Sequence, residues 1–451
     1  MKNQKELFSY EGKPSLGEAI PLSLQHVVAM IAGCIAPAII LSGVAGLSQQ
    51  DSTLLIQMAL VGAGLTTLLM LYPIFGIGGR VPVIYGASFS FVPALIAIFT
   101  QYNGVPGANP MAIIFGAQLA GALVAIFFAL IIDKILPFFP TIVTGTVVLV
   151  IGLSLYPIAI NYMGGAGSVK APGWGAGINW AVGVFTLVVS LGLGRFGKGI
   201  FKLANVLFAL IAGYILAFAL GMVNLEPISQ AGLISGIKPL HFGIEFNLSA
   251  ILTMAIIYIV TTVQIIGNTS STTVAGFGRL PKKEELRGSV LAFGVTNMLG
   301  ALIGSLPTGI FAQNVGIIET TKVTSRRVFS LTAIFILVSG LIPKLSALLT
   351  TIPYPVLGGA TLSVFASITM SGIKMIASQP LTPRNTTIVG ISVAIGMGFN
   401  MVCQEAQLLG IEFMRPELYT AIGSSPVVLA TICALLLNVI FKEGPKDRAQ
   451  A

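Results

Sequence analysis

Charge is what this chain has least of. Only 9% of its 451 residues are Asp, Glu, Lys or Arg, against about a quarter in soluble globular proteins. It cannot cover itself for water. Histidine occurs twice, tryptophan twice and cysteine three times. Cys34, Cys403 and Cys433 lie in or beside apolar stretches at no ligand-like spacing. That excludes a disulfide framework or Cys/His metal cluster and leaves core thiols. Two distant histidines and few acids in the apolar segments supply no nucleophile, base or metal set, so neither an enzyme nor a cofactor is expected. The net charge of +9 is not gathered into a basic domain, which argues against nucleic acid.

What is present points to a membrane. Hydrophobic residues make up 55% of the chain, and 52 Gly and 24 Pro are scattered through the apolar segments. That distribution suits close helix packing and broken helices rather than disorder. The first twenty residues are polar. The apolar run after them is too long for a signal-peptide core and is kept as a mature span. With about 20 apolar residues per crossing, spans are expected near 22–45, 53–75, 83–100, 110–132, 139–160, 176–194 and 203–222. A second set follows near 248–268, 287–304, 309–321, 327–347, 355–376, 387–402 and 425–441. The third and tenth of these fourteen are short or interrupted by Pro and Gly.

Placing both termini and every even-numbered loop in the cytoplasm tests that count. All 24 Lys and Arg except Lys170, Lys238, Lys344 and Arg415 then fall on the cytoplasmic side, as the positive-inside rule requires. The basic loop "GRLPKKEELR" (278–287) needs no ligand on this reading.

The two halves also echo each other. "VPVIYGASFSFVP" (81–93) and "LPTGIFAQNVGII" (306–318) each place a Pro six residues before a polar residue: Pro82 to Ser88 and Pro307 to Gln313. "FPTIVTG" (139–145) and "IPYPVLG" (352–358) share Pro-x-x-Val-x-Gly. Both offsets are about half the chain. Seven spans per half is odd, so the second copy enters from the opposite face. Inverted repeats with interrupted segments at matching positions point to a transporter site near the midplane.

The stretch "FAQNVGIIETTK" (311–322) lies on the second interrupted segment and carries Gln313, Asn314, Glu319, Thr321 and Lys322. A half-helix ending inside the membrane leaves backbone donors and acceptors open to a ligand. The two amides donate and accept, and Phe89 and Phe91 offer flat apolar faces. Such a set suits a small planar heterocycle with carbonyl and N–H edges. Capping or helix bridging by the amides, and core packing by the phenylalanines, remain the alternative uses.

"QNVGIIETTK" (313–322), Gln25–His26 in the first span, "GASFSF" (86–91) and "IPYPVLGGA" (352–360) resemble the nucleobase–ascorbate transporters, the uracil/xanthine permease family, along nearly the whole chain. The resemblance implies an all-α polytopic membrane protein with fourteen spans in two inverted seven-span repeats. These form core and gate domains with interrupted third and tenth spans. The expected division is a cytoplasmic segment 1–20, a first repeat 21–222, an extracytoplasmic loop 223–247, a second repeat 248–441 and a cytoplasmic tail 442–451. It further implies a homodimer in the lipid of the cytoplasmic membrane, importing a nucleobase by an elevator-type movement with a proton, or sodium in its place, as coupling ion. Gln313, Gln264, Phe89, Ser88 and Asn314 would bind substrate. Glu319, His26, Gln25, Asn268 and Thr321 would serve coupling or support.

Gln before Asn resembles the xanthine/urate branch, whereas a uracil or other pyrimidine permease would carry Glu at 313. An anion exchanger or channel of the same architecture would need a cation at the site, and none is expected at the midplane. Two family carboxylates are missing, replaced by Gln264 in the eighth span and Phe293 in the ninth. Neither can ionise, so an uncoupled facilitator is the alternative to symport. Glu319 is placed either to carry a coupling proton or to pair with Lys322.

Overall fold

The computed structural model describes residues 6–135, 139–167, 169–234, 236–408, 411, 423 and 425–441. Of the expected topology markers, Lys2, Lys5, Arg415, Lys442, Lys446 and Arg448 lie outside the described residues, as does the tail 442–451. The longer helices, in chain order, are α1 (Leu16–Ala45), α2 (Gln49–Leu71), α3 (Val92–Tyr102), α4 (Pro110–Leu130), α5 (Thr141–Met163), α6 (Gly177–Phe196) and α7 (Asn205–Ala219). They continue with α8 (Leu248–Phe277), α9 (Lys283–Ile303), α10 (Ala312–Thr321), α11 (Arg326–Gly340), α12 (Pro343–Thr350) and α13 (Tyr354–Ala377). The last are α14 (Pro383–Ala394), α15 (Asn400–Leu408), which follows a π-turn at Ile395–Phe399, and α16 (Pro426–Ile440). Two short strands, β1 (Tyr85–Ala87) and β2 (Thr308–Ile310), pair antiparallel.

Helices dominate because a segment in hydrocarbon must satisfy its backbone internally. Short polar side chains mark where several begin. Ser48 accepts from the Asp51 N–H, Asn109 from Ala112 and Thr382 from Asn385, each closing one orphan donor of a first turn. Among the described residues nine helices are long and apolar enough to cross a membrane, or ten if α11 and α12, bent by 76°, form one crossing. The turn-plus-α3 segment Phe89–Tyr102, α7 and α16 are shorter apolar helices.

The chain forms two compact units. The first comprises 1–88, 157–241 and 265–364, and the second 89–156, 242–264 and 365–451. In the first, α2 and α11 approach so closely that a Cβ on Gly340 would sit 2.7 Å from the Gln57 carbonyl oxygen. The Gln57 amide donates to the Gly340 carbonyl at 3.0 Å. Small residues that let backbones meet are how membrane helices associate.

Residues 6–15 strap across the same unit. Leu7 O accepts from the N–H groups of Thr324 (3.0 Å) and Ser325 (3.1 Å), and Tyr10 O accepts from Arg326 N–H at 2.8 Å. Ser325 Oγ donates to Gly12 O at 2.8 Å and the Arg327 guanidinium to Pro14 O at 2.9 Å. The Arg326 guanidinium pairs with Glu11 at 2.5 Å and lies over the Tyr72 ring, 4.6 Å from its centroid. Tyr10 donates its hydroxyl to Leu71 O, and burial pushes its pKa up.

In the second unit Ile142, Val143, Ile376, Ile388 and Ala434 form an apolar core. Cys34 and Cys403 are buried and Cys433 half-buried, all three as thiols.

Candidate functional site

The site is easiest to follow from the strand pair in the first unit. Pro82 and Pro307, which cannot donate to a ladder, precede β1 and β2. The register pairs Tyr85 with Ile310, Gly86 with Gly309 and Ala87 with Thr308. Tyr85 and Ile310 are separated by the same 225 residues that align Pro82 with Pro307. Phe311 N–H donates to Ile84 O and Ser88 N–H to Pro307 O, both at 2.9 Å. Asn297 on α9 accepts the Thr308 N–H at 2.7 Å and donates to Phe293 O at 2.8 Å. Four residues after the missing carboxylate at Phe293, this buried amide ties α9 to the start of β2.

Phe311 anchors the beginning of the motif helix. A Cβ on Gly33 would lie 2.6 Å from one edge of its ring, and a Cβ on Gly86 would lie 2.4 Å from the other. Only glycine fits on either side of the ring. From there α10 separates its two amides. Gln313 is exposed, whereas Asn314 is 1% exposed. Asn314 Oδ1 lies 3.2 Å from His26 Nδ1, and the His26 ring packs on Phe329 at 4.7 Å. One turn beyond Gln313, a Cβ on Gly316 would meet nothing within 4 Å, so this face of α10 is open.

The other expected residues of the first unit divide between support and surface. Asn268 donates to Ile310 O at 3.4 Å, and Thr321 Oγ1 donates to Ile317 O at 2.7 Å. Gln25 is half-buried beside His26, and Ser88 is half-buried at the end of β1. Lys322 ends α10 in the left-handed conformation (φ 59°) and gives its ammonium to Ala275 O at 3.0 Å. Glu319 is exposed, and among the described residues it forms no ion pair with Lys322.

In the second unit the chain makes a tight 3-10 turn at Phe89–Phe91. Phe89 is 7% exposed and meets Phe365 edge-on at 5.3 Å, while Phe91 meets Tyr258 at 4.8 Å. Between them Ser90 Oγ donates to Gln264 Oε1 at 3.0 Å. Gln264 itself is half-buried.

Residues 17–405 match the family described as a permease family, that of the xanthine and uracil permeases. The chain belongs to this family. It is therefore an integral, multi-pass membrane transporter and not an enzyme. A Paenibacillus larvae protein named nucleobase transporter PlUacP is 32% identical over 443 residues, 96% of this chain and 97% of its own length. The xanthine permease of Bacillus subtilis is 31% identical over 441 residues, covering 96% of this chain and 95% of that one. Among solved structures, the transmembrane domain of the cyanobacterial bicarbonate transporter BicA superposes with a TM-score of 0.58 at 18% identity. That match covers 79% of this permease and 94% of BicA, and it speaks to the fold.

Three residues that hold the expected positions in place lie outside the sequence-based expectations. Asn297 carried a signal, being an amide in the mostly apolar second half of its helix, one turn from Phe293. Phe311 and Ser90 carried none, because what singles them out is a glycine notch and a partner 174 residues away.

Proposed function

We infer that this permease imports a purine-like nucleobase, such as xanthine or urate, across the cytoplasmic membrane. The observation that carries this reading is the division of labour on α10, where Asn314 is locked inward on His26 while Gln313 faces outward beside the open Gly316. An exposed amide on a helix that opens within an apolar segment offers one donor and one acceptor to a heterocycle's edge. Gln313 is the principal base contact. Gln264, Phe89 and Ser88 are further base contacts by family resemblance, with Asn314 in support. The names of the two full-length relatives favour the same substrate class. Gln rather than Glu at 313 favours a purine over uracil.

The remaining expectations belong to the same proposal: fourteen crossings in two inverted halves, core and gate domains, both termini cytoplasmic, a homodimer and an elevator-type cycle. The 225-residue offset in the strand register supports the duplication, since a two-fold axis between the copies would pair each Tyr85-like residue with its own equivalent. Coupling to a proton gradient would run through His26, which touches the motif, rather than through the exposed Glu319. Uptake of labelled xanthine, urate and uracil into proteoliposomes tests the whole reading, with a proton gradient, a sodium gradient or neither. Xanthine or urate accumulation is expected under a proton gradient in the wild type and in Glu319→Gln, and equilibration alone in His26→Gln. Preferential uptake of uracil would sink the purine assignment.

A further inference from the structure

In the first unit α6 is the span least covered by protein. The apolar window of α2 is 83% buried, that of α6 only 22%. Its twenty residues make about 30 Å, the thickness of a bilayer's hydrocarbon core. The two ends of this span differ. At the first, Trp174 and Trp180, the chain's two tryptophans, meet edge-on at 6.2 Å, as amphipathic rings do at a membrane–water boundary. The turn into α7 at the other end carries Arg195, Phe196, Lys198, Phe201 and Lys202. Phe196 is 80% exposed and Phe201 51%. The Arg195 guanidinium lies over the Phe196 ring, 5.7 Å from its centroid. Lys198 and Lys202 are exposed and form no ion pair among the described residues. No Asp or Glu occurs between Asp133 and Glu226, so this stretch holds no carboxylate to neutralise the three cations.

The turn is held in place at its base. The Asn205 amide at the start of α7 donates to Ser190 O at 3.1 Å, and the Ser190 hydroxyl meets that of Ser363 on α13 at 2.8 Å. The outward apolar sides of both helices, with Val188 on α6 and Ile215 on α7, run on from it.

We propose that this turn binds an anionic phospholipid of the cytoplasmic leaflet, its phosphate held by Arg195, Lys198 and Lys202 and the first carbons of its acyl chains by Phe196 and Phe201. The proposal rests on the topology set out above, which puts the turn on the cytoplasmic side. Positive-inside placement accounts for three cations there, but it asks for no aromatic residue. Rings left facing outward beside unpaired cations match a ligand that is anionic above and hydrocarbon below. An acidic soluble partner would satisfy the cations and leave the apolar sides of α6 and α7 without a counterpart. The planar fork of Arg195 adds donors shaped for phosphate oxygens.

The test titrates phosphatidylglycerol and phosphatidylcholine of identical chains onto the protein in neutral detergent, with bound lipid counted by native mass spectrometry. Phosphatidylglycerol is expected to bind about a hundredfold more tightly, from a gain of about fivefold per cation beside an anionic lipid. Arg195→Gln, Lys198→Gln and Lys202→Gln should each remove one such factor, and the triple variant nearly all of the preference. Lys198→Arg with Lys202→Arg should keep it. Phe196→Ser with Phe201→Ser should weaken both lipids alike, and glycerol 3-phosphate, which has no chains, should not compete. None of these residues belongs to the proposed base site, so purine binding should be unchanged. Equal affinity for the two lipids, or a preference indifferent to the triple variant, would overturn the proposal. So would a shift of the triple variant from dimer to monomer in phosphatidylcholine alone, which would make this face a contact between two copies. Labelling of Lys198→Cys on intact cells by an impermeant thiol reagent would overturn the topology, and with it the leaflet, even where lipid binding in detergent holds.

Discussion

Residues 85–91 and 308–314 begin alike and end differently. Each follows a proline, each lays down three extended residues, and the two strands pair with one another. The first then turns sharply and buries Phe89 and Phe91 against other rings. The second enters α10 directly and turns Gln313 outward. Two paired strands thus lead into different side-chain chemistry, one toward aromatic packing and the other toward an exposed amide. Backbone hydrogen bonds tolerate nearly any side chain, so two strands can hold the same pairing while the residues after them take different roles.

The comparison can be broken most forcefully at Phe311, the ring held in a glycine notch beside the second strand. Phe311→Ala would empty the space between Gly33 and Gly86. By the usual cost of deleting a buried phenylalanine it should destabilise the protein by about 3–5 kcal/mol, seen as a large fall in melting temperature in detergent. Asn297→Leu would leave the Thr308 N–H without its acceptor, at a cost of about 1–3 kcal/mol. Its melting point should fall less, with a larger loss of binding than of fold if β2 aims α10. Gln313→Ala sharpens the contrast from the other side. The side chain is exposed, so the melting temperature should hold while purine affinity drops about tenfold, the loss of one ligand hydrogen bond. An unchanged dissociation constant would remove Gln313 from recognition. Glu319→Gln should do least, with accumulation within about twofold of wild type, because surface charges without partners contribute little.

How much of this was legible beforehand depended on range. The apolar runs were readable because hydropathy is a local property, and every helix that passes as a membrane crossing overlaps one of them. The Gln-Asn pair was readable as chemistry, but not which amide would face inward. That direction is set by His26, 288 positions earlier. The choice for Glu319 between carrying a coupling proton and pairing with Lys322 was undecidable from spacing. Lys322 leaves the helix in a left-handed residue and takes a carbonyl 47 residues away. Nothing local marks His241 either, yet it meets Asp51 at 2.7 Å, 190 residues distant. The strap at 6–15 was silent because a short polar segment shows no periodicity, and it offers mostly its own backbone carbonyls, which no side chain betrays.

That strap has a consequence for biogenesis. Gly12 waits for Ser325, and Ser23 at the foot of α1 waits for Val328, partners separated by 313 and 305 residues. This segment therefore leaves the ribosome and meets the bilayer well before the contacts that hold it in the finished protein exist. Contacts this remote in sequence carry a loop-closure cost that local helix formation does not. The first helix must reside in lipid as a provisional guest until the eleventh arrives.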